Sequence, residues 1–367
     1  MTRVATAGAS ALDGPLERAR AARERGLAWL LDHIGSDGGP VGWQDGNGWS
    51  RVPWTLSLCG RTEEGAAVLD WAARNALAPD GGFRQGPARG TGRFGAYQLG
   101  HLAIGAWRLE RYDIANDLLG RLAALQDPKT GGILVCPDGS SRLTDLLCTA
   151  QVGIAALGAG RDDIARGVRA WIACLSAQQP DFPNRLFNMR DGDALVLEPP
   201  EGMAWIAVTD FTAPRQTYFY PGIAAVFLAQ YAMADGDAEA LALGHRLLSA
   251  NIQGCSEQFD DPDSVQICKF GWGVAAMQIA DPSAAYEPWL VRMAAWFEAH
   301  QQPDGSWIPS AFVSASPSLV ERMTKTAEHA MELDAVIGAL GALRARAAQA
   351  ASDTRRPQIE VANTVAE

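Results

Sequence analysis

Apolar residues recur at 3.6-residue spacing along this chain, in stretches rich in Ala, Leu, Arg and Glu, and Gly-rich turns interrupt them at intervals of about 40 to 50 residues. The turns read Asp37-Gly38-Gly39, Asp80-Gly81-Gly82-Phe83, Lys129-Thr130-Gly131-Gly132-Ile133 and Asp304-Gly305-Ser306-Trp307. The pattern predicts six helix pairs. The first members cover about 17–34, 63–77, 113–126, 161–178, 237–252 and 284–301. The second members cover about 52–60, 93–110, 142–158, 216–234, 265–280 and 327–346.

The two classes differ in what they put on their faces. First members are amphipathic, as in Asp113-Ile-Ala-Asn-Asp-Leu-Leu-Gly-Arg121, and so belong against water. Second members carry little charge and many small residues, as in Gly100-His101-Leu-Ala-Ile-Gly105 and Gly271-Trp-Gly-Val-Ala-Ala276. Such helices are buried, and Gly and Ala let neighbours approach closely. An outer and an inner set of six helices predict an all-α fold, a single (α/α)6 toroid over 1–347. Residues 348–367 form a flexible C-terminal tail. An open solenoid has the same period, but six hairpins complete a ring. The long segment from about 180 to 215, with Glu198-Pro-Pro-Glu201 and the apolar Met203-Ala-Trp-Ile-Ala-Val208, reads as a lid-like insertion over one mouth.

The sixth first-member helix and its turn contain Gln301-Gln-Pro-Asp-Gly305-Ser-Trp307, preceded by Trp296-Phe297. This resembles the Gln-x-x-x-Gly-x-Trp repeat of squalene-hopene and oxidosqualene cyclases. Gln126-Asp-Pro-Lys-Thr-Gly131-Gly132-Ile133 is a looser version. The resemblance implies the terpenoid-cyclase and prenyltransferase toroid, with Gln and Trp stapling a helix end to its turn. The proton-donating Asp-x-Asp-Asp motif of those cyclases does not occur; Asp260-Asp261-Pro262-Asp263 is not that pattern. Protein prenyltransferase subunits are nearer in size and bind zinc through Asp, Cys and His. Cys268, Trp272 and His329 are spaced similarly, but Gln266 stands where the Asp is needed; two ligands without the third make a poor zinc site, so no metal ligand is assigned, and whether Cys268 and His329 bind a metal stays open. Arg93-Phe-Gly-Ala-Tyr97-Gln-Leu-Gly100-His101-Leu102 resembles a run in linalool dehydratase-isomerase, which implies that His101 acts as a general acid or base.

A net charge of −11 with no basic stripe argues against nucleic acid as a partner. Six scattered cysteines without a C-x-x-C pair, and no signal-like or membrane-length apolar run, read as cytoplasmic and reduced. No phosphate-binding loop, dinucleotide fingerprint, HExxH or Gly-x-Ser-x-Gly elbow is present, so no cofactor is expected.

The candidate chemistry lies on the inner helices and the loops at their N-terminal ends, which face one mouth. His101 and His329 fall there and are the expected acid/base pair, since imidazole exchanges protons near neutral pH. His33, His245 and His300 fall on outer helices. Asp45 or Asp145 is the expected acid partner, although Asp145 also reads as a helix cap. Tyr218 is a candidate proton donor, and Glu332, three residues after His329, is placed to orient its ring. Substrate-binding candidates are Trp43, Trp49, Arg51, Trp54, Arg93, Tyr97, Arg215, Tyr220, Lys269 and Trp272. The leading expectation is a cyclase, isomerase or dehydratase acting without a cofactor on an isoprenoid- or polyketide-like small molecule. A carbohydrate-active toroid (epimerase, unsaturated-uronyl hydrolase or polysaccharide lyase) and a non-catalytic binding protein are the alternatives. Substrate and oligomeric state stay open.

Overall fold

The computed structural model describes residues 9–42, 47–84, 95–136 and 141–364. In chain order its long helices are α1 (Asp13–Asp32), α2 (Val52–Leu58), α3 (Thr62–Asn75), α4 (Gly95–Arg108), α5 (Tyr112–Ala124), α6 (Leu146–Gly158) and α7 (Asp162–Ala177). After the one-turn α8 (Ala204–Ala207) come α9 (Tyr220–Asp235) and α10 (Ala238–Gln253). After the one-turn α11 (Glu257–Asp260) come α12 (Cys268–Ala280), α13 (Glu287–Ala299) and α14 (Leu319–Thr364). All twelve expected helices are present. The last starts eight residues earlier than the periodicity suggests and runs on to Thr364, through the segment read as a tail.

The inner set closes. Helix α2 packs on α4, α4 on α6, α6 on α9, α9 on α12, α12 on α14, and α14 returns to α2. Outside this ring stand α1, α3, α5, α7, α10 and α13, with α1 against both α13 and α14. The chain is an all-α (α/α)6 toroid.

The composition of each layer explains its place. Helix α7 exposes Asp162, Asp163 and Arg166 while burying Ile164, Val168, Trp171, Ile172 and Leu175, a single apolar stripe. Helix α9 buries residues on every side from Tyr220 to Ala229. Gly222 permits its approach to α12, because a side chain there would come within 2.1 Å of the Lys269 carbonyl oxygen.

The Gly-rich turns tie neighbouring outer helices together. Gln301 Nε2 donates to Gly305 O in its own turn and to Ala22 O of α1, both at 2.8 Å. Trp307 Nε1 donates to Phe297 O at 2.8 Å. Gly305 has φ +92°, and a β-carbon there would meet Arg25 O at 2.6 Å. The last turn is thereby pinned to the first helix. Gln126 does the same between α5 and α7, donating to Gly131 O and Ile164 O.

The insertion is a small β structure rather than a plain loop. Strand β1 (Leu143–Asp145) pairs antiparallel with β3 (Met189–Asp191), and β3 with β4 (Ala194–Leu195). Strand β2 (Arg185–Phe187) pairs with β5 (Val208–Asp210). A minor apolar cluster of Val135, Met189, Met203 and Ala207 holds it together. Since β1 runs directly into α6, the insertion sits at the N-terminal end of the inner ring. No described helix is long and apolar enough to cross a membrane.

Candidate functional site

One stripe of each inner helix faces the ring axis, and helix phase decides which residues lie on it. On α2 and the turn before it, the stripe is Arg51, Trp54 and Leu58. On α4 it is Tyr97, His101, Ile104 and Arg108. On α12 it is Lys269 and Trp272, and on α14 it is Lys325, Glu328, Glu332 and Ala335. The polar members cluster toward the N-terminal ends, with aromatic and aliphatic members beyond them.

The polar members form one network. Arg51 donates to Glu328 Oε1 at 2.9 Å, to the Tyr97 hydroxyl, and to His101 Nε2 at 2.7 Å. Tyr97 in turn donates to Glu328 Oε1 at 3.4 Å. Lys269 donates to Glu328 Oε1 and lies 3.6 Å from Glu332 Oε1. Lys325 Nζ is 2.6 Å from Glu328 Oε2. Arg51, His101, Lys269, Glu328 and Glu332 are all at most 3% exposed. Tyr97 and Lys325 are half-buried, as is Phe219, whose ring lies 5.3 Å from Lys269 Nζ.

Burial and neighbouring charge set the protonation states. Burial alone raises the Glu328 carboxyl, but Lys269, Lys325 and Arg51 outweigh it and hold Glu328 well below the usual range. Burial pushes Glu332 up to about 7; ionised Glu328 adds to this, and Lys269 opposes it. Burial lowers His101 well below its ordinary value, and the Arg51 charge lowers it further, so the ring is neutral. Its Nε2 therefore accepts from Arg51 rather than standing free. Burial raises Tyr97 against the pull of Arg51 and Lys269, so the phenol keeps its proton.

Beyond Trp54 and Trp272, which meet edge to face at 5.6 Å, the axis opens into a cavity of about 620 Å³ at the C-terminal ends of the inner helices. Ile104, Trp107, Tyr112, Ile154 and Met331 line it, with Arg108, Glu110, Gln230 and Asp334 as polar members. The expected aromatic cavity is thus present, but among the described residues it lies at the mouth opposite the expected one, and its aromatic floor separates it from the ionic network.

Of the sequence-nominated residues, Arg51, Trp54, Tyr97, His101, Lys269, Trp272 and Glu332 meet on the axis. Trp43, Asp45 and Arg93 lie outside the described residues. Of the other candidates, Tyr220 stands beside the network, buried against Phe219 and near Tyr97, and the rest are elsewhere. Asp145 caps α6, its Oδ1 accepting from Cys148 N at 2.9 Å, and burial raises it to about 6. Tyr218 donates to Ala213 O in the insertion's return loop. Arg215 pairs with Asp261 and Asp263 at the surface. Trp49 packs edge to face on Trp71 at 5.2 Å, and Tyr220 packs against Phe219 at 4.7 Å. His329 is one helical step off the axial stripe, boxed by Trp296, Phe297 and Trp307 at 5.4–5.8 Å, and so belongs to the wall of the ring. Sequence reasoning missed Lys325 and the hub role of Glu328. Their spacing of three residues was the available signal, but Lys325 falls before the expected start of its helix.

Cys268, His329 and Glu332 place a thiol, an imidazole and a carboxyl within 4.8 Å of one another, all buried. Among the described residues both ring nitrogens of His329 and both oxygens of Glu332 lack hydrogen-bond partners, and the donor set suits zinc. Gln266, in place of the expected Asp, is turned to Ser310 Oγ at 3.0 Å, and Glu332 supplies the third donor instead.

No family model matches the chain, and no curated protein matches it in sequence. Solved structures do match in fold. An α-1,6-mannanase of glycoside hydrolase family 76 from Salegentibacter sp. HEL1_6 is 11% identical with a TM-score of 0.59, over 89% of this chain and 99% of that one. A type II terpene cyclase, MstE, from Scytonema, solved with geranylgeranyl dihydroxybenzoate, is 14% identical with a TM-score of 0.55 over the same shares. A protein from Actinoplanes is 17% identical with a TM-score of 0.54, over 87% and 99%. At these identities the likeness is one of fold.

Proposed function

We propose that the protein is an enzyme that cyclises, isomerises or dehydrates a small, largely apolar molecule bearing an acidic group, by acid/base chemistry at the N-terminal end of the ring axis. One observation carries this reading. Arg51, Lys269 and Lys325 converge around a single firmly ionised carboxylate, Glu328, inside the ring. A folded core gains little from such a cluster, because burying paired charges costs as much as their attraction returns. The surplus positive charge instead suits a carboxylate, enolate or phosphate on the substrate. Tyr97 and Phe219 offer the half-buried apolar faces for the rest of the molecule.

In this reading Tyr97 is the proton donor. It keeps its proton at neutral pH and has a half-open face. Its hydroxyl also touches Arg51, which stabilises the phenolate as the proton leaves. The proton passes from the phenol to the substrate's departing or accepting atom, and Tyr97 recovers one from the substrate in the following step. His101 and Glu328 position Arg51. A zinc ion, if held by Cys268, His329 and Glu332, would supply a clamp between α12 and α14, and no step runs through it. The substrate named for the terpene cyclase neighbour, an isoprenoid on an acidic aromatic head, has the combination of apolar body and acidic group inferred here.

A carbohydrate-active reading has its own support: the open cavity with a tryptophan floor and Arg108, Glu110, Gln230 and Asp334 on its lining, in a fold shared with mannanases. Incubation with prenylated aromatic acids, polyketide acids and α-mannooligosaccharides, followed by mass spectrometry of products, separates the two. The proposal expects turnover of an apolar acid without added cofactor, and a loss of ~10²-fold or more in Tyr97→Phe with the fold intact. Hydrolysis of oligosaccharide alone overturns it.

A further inference from the structure

The four turns that lead from an inner helix to the next outer helix at α2–α3, α4–α5, α6–α7 and α9–α10 share one backbone feature: a residue in the left-handed region. Three are glycines, Gly60 (φ +75°), Gly160 (φ +69°) and Gly236 (φ +73°); the fourth is Glu110, at φ +60°. A β-carbon added at Gly60, Gly160 or Gly236 would meet nothing within 4 Å, so backbone conformation alone selects glycine there. Position 110 therefore keeps a side chain at a cost its sister turns avoid. Residues held in strained backbone concentrate at ligand sites.

Glu110 lines the cavity at the C-terminal ends of the inner helices. Among the described residues its carboxylate has no hydrogen bond or ion pair. The neighbouring Arg111 is spoken for by Asp70 and Asp113. Around it are faces suited to a cation: Trp107 and Tyr112 meet edge to face at 4.9 Å, above the Trp54–Trp272 floor. Helices α2, α4 and α6 end at Leu58, Arg108 and Gly158, all on the cavity lining, so the carbonyl-bearing, partially negative ends of three helices border it. Among the described residues the acidic and basic side chains on the lining are Glu110, Asp334 and Arg108. Arg108 is drawn aside to Ser57 Oγ at 3.2 Å, and Asp334 is paired with Arg23.

We propose that this cavity is a second ligand site, distinct from the ionic network, and that it binds a small organic cation, an amine or quaternary ammonium, with Glu110 as counter-ion and Trp54, Trp107, Tyr112 and Trp272 as the walls. The inference does not rest on the proposed reaction, and its test reads binding, not turnover.

The test is calorimetric titration of the full chain with choline and with its neutral isostere 3,3-dimethylbutan-1-ol, alongside thermal unfolding of Glu110→Gly and Glu110→Gln. The proposal expects saturable choline binding at least tenfold tighter than that of the alcohol. Glu110→Gly should unfold at a higher temperature than the wild type while binding choline at least tenfold more weakly. Glu110→Gln, which keeps the strained backbone, should lose the affinity without the gain in stability. Equal affinity for choline and the alcohol, undiminished choline binding by Glu110→Gly, or a Glu110→Gly chain that unfolds earlier would each overturn it.

Discussion

The two ends of the ring axis are built from the same six helices and could hardly differ more. At the N-terminal end, Arg51, Lys269, Glu328 and Glu332 are removed from water; Arg51 and Lys269 bind Glu328, and Glu332 lies within ion-pair distance of both, at 4.0 and 3.6 Å. At the C-terminal end, Trp54, Trp107, Tyr112 and Trp272 line an open cavity, and the ionised groups stand at its edge. Helix phase alone does not produce this: the stripe that carries Arg51 carries Trp54 one turn later, and the stripe of Lys269 carries Trp272. What differs along each stripe is solvent access. Charges without water gather on partners, so at the buried end Arg51, Lys269 and Lys325 converge on Glu328 and only Tyr97, Lys325 and Phe219 leave a half-buried edge, whereas the open end can keep Glu110 unpaired.

That contrast fixes the order of expected mutational effects. Lys269→Met leaves Glu328 and Glu332 short of a cation in a dry site and should cost about 3–5 kcal/mol in urea unfolding. A cost under about 1 kcal/mol would mean that water reaches the network and the contrast between the ends is false.

Asp145→Asn probes the buried end differently. Burial pushes Asp145 up to about 6 from its ordinary value of 3.8, with Cys148 and Tyr220 facing it. The folded chain thus binds the extra proton. This contribution is fully present below about pH 4 and is lost as pH rises toward 6. The asparagine keeps the cap acceptor and removes that slope, so at pH 7 the variant should be more stable by about 1–3 kcal/mol. Parallel wild-type and variant curves from pH 4 to 7 would contradict the burial.

Asp334→Asn, at the open end, breaks an ion pair with Arg23 that is about one-quarter exposed on each side, and should change stability by no more than about 1 kcal/mol.

Much of this was legible in the sequence because the relevant signals are local. The inner helices declare themselves by their lack of charge, and the Gln301 and Trp307 turn by its spacing. Arg51, Tyr97, His101 and Lys269 stand out as polar residues on bland helices. What was not legible depends on phase and backbone. His329 and Glu328 are adjacent in sequence, yet one faces the wall and the other the axis. Asp145, Tyr218 and Arg215 all precede inner helices, but Asp145 and Tyr218 are engaged by nearby backbone and Arg215 by Asp261 and Asp263, a fact only coordinates reveal. Glu110 reads as an ordinary surface acid until its φ is known. The open mouth was misplaced because periodicity says which helices line the axis and nothing about which end their side chains fill.

Two tyrosines give the most direct test of the account. Tyr97 and Tyr218 were both nominated by the sequence, and the structure separates them: one phenol touches Arg51 on the axis, the other donates to Ala213 O in a loop. Once a turned-over apolar acid is in hand, kcat is measured for Tyr97→Phe and Tyr218→Phe, each confirmed folded by circular dichroism. The account predicts a loss of ~10²-fold or more for Tyr97→Phe and little change for Tyr218→Phe. Full turnover by Tyr97→Phe, or a loss confined to Tyr218→Phe, would contradict it.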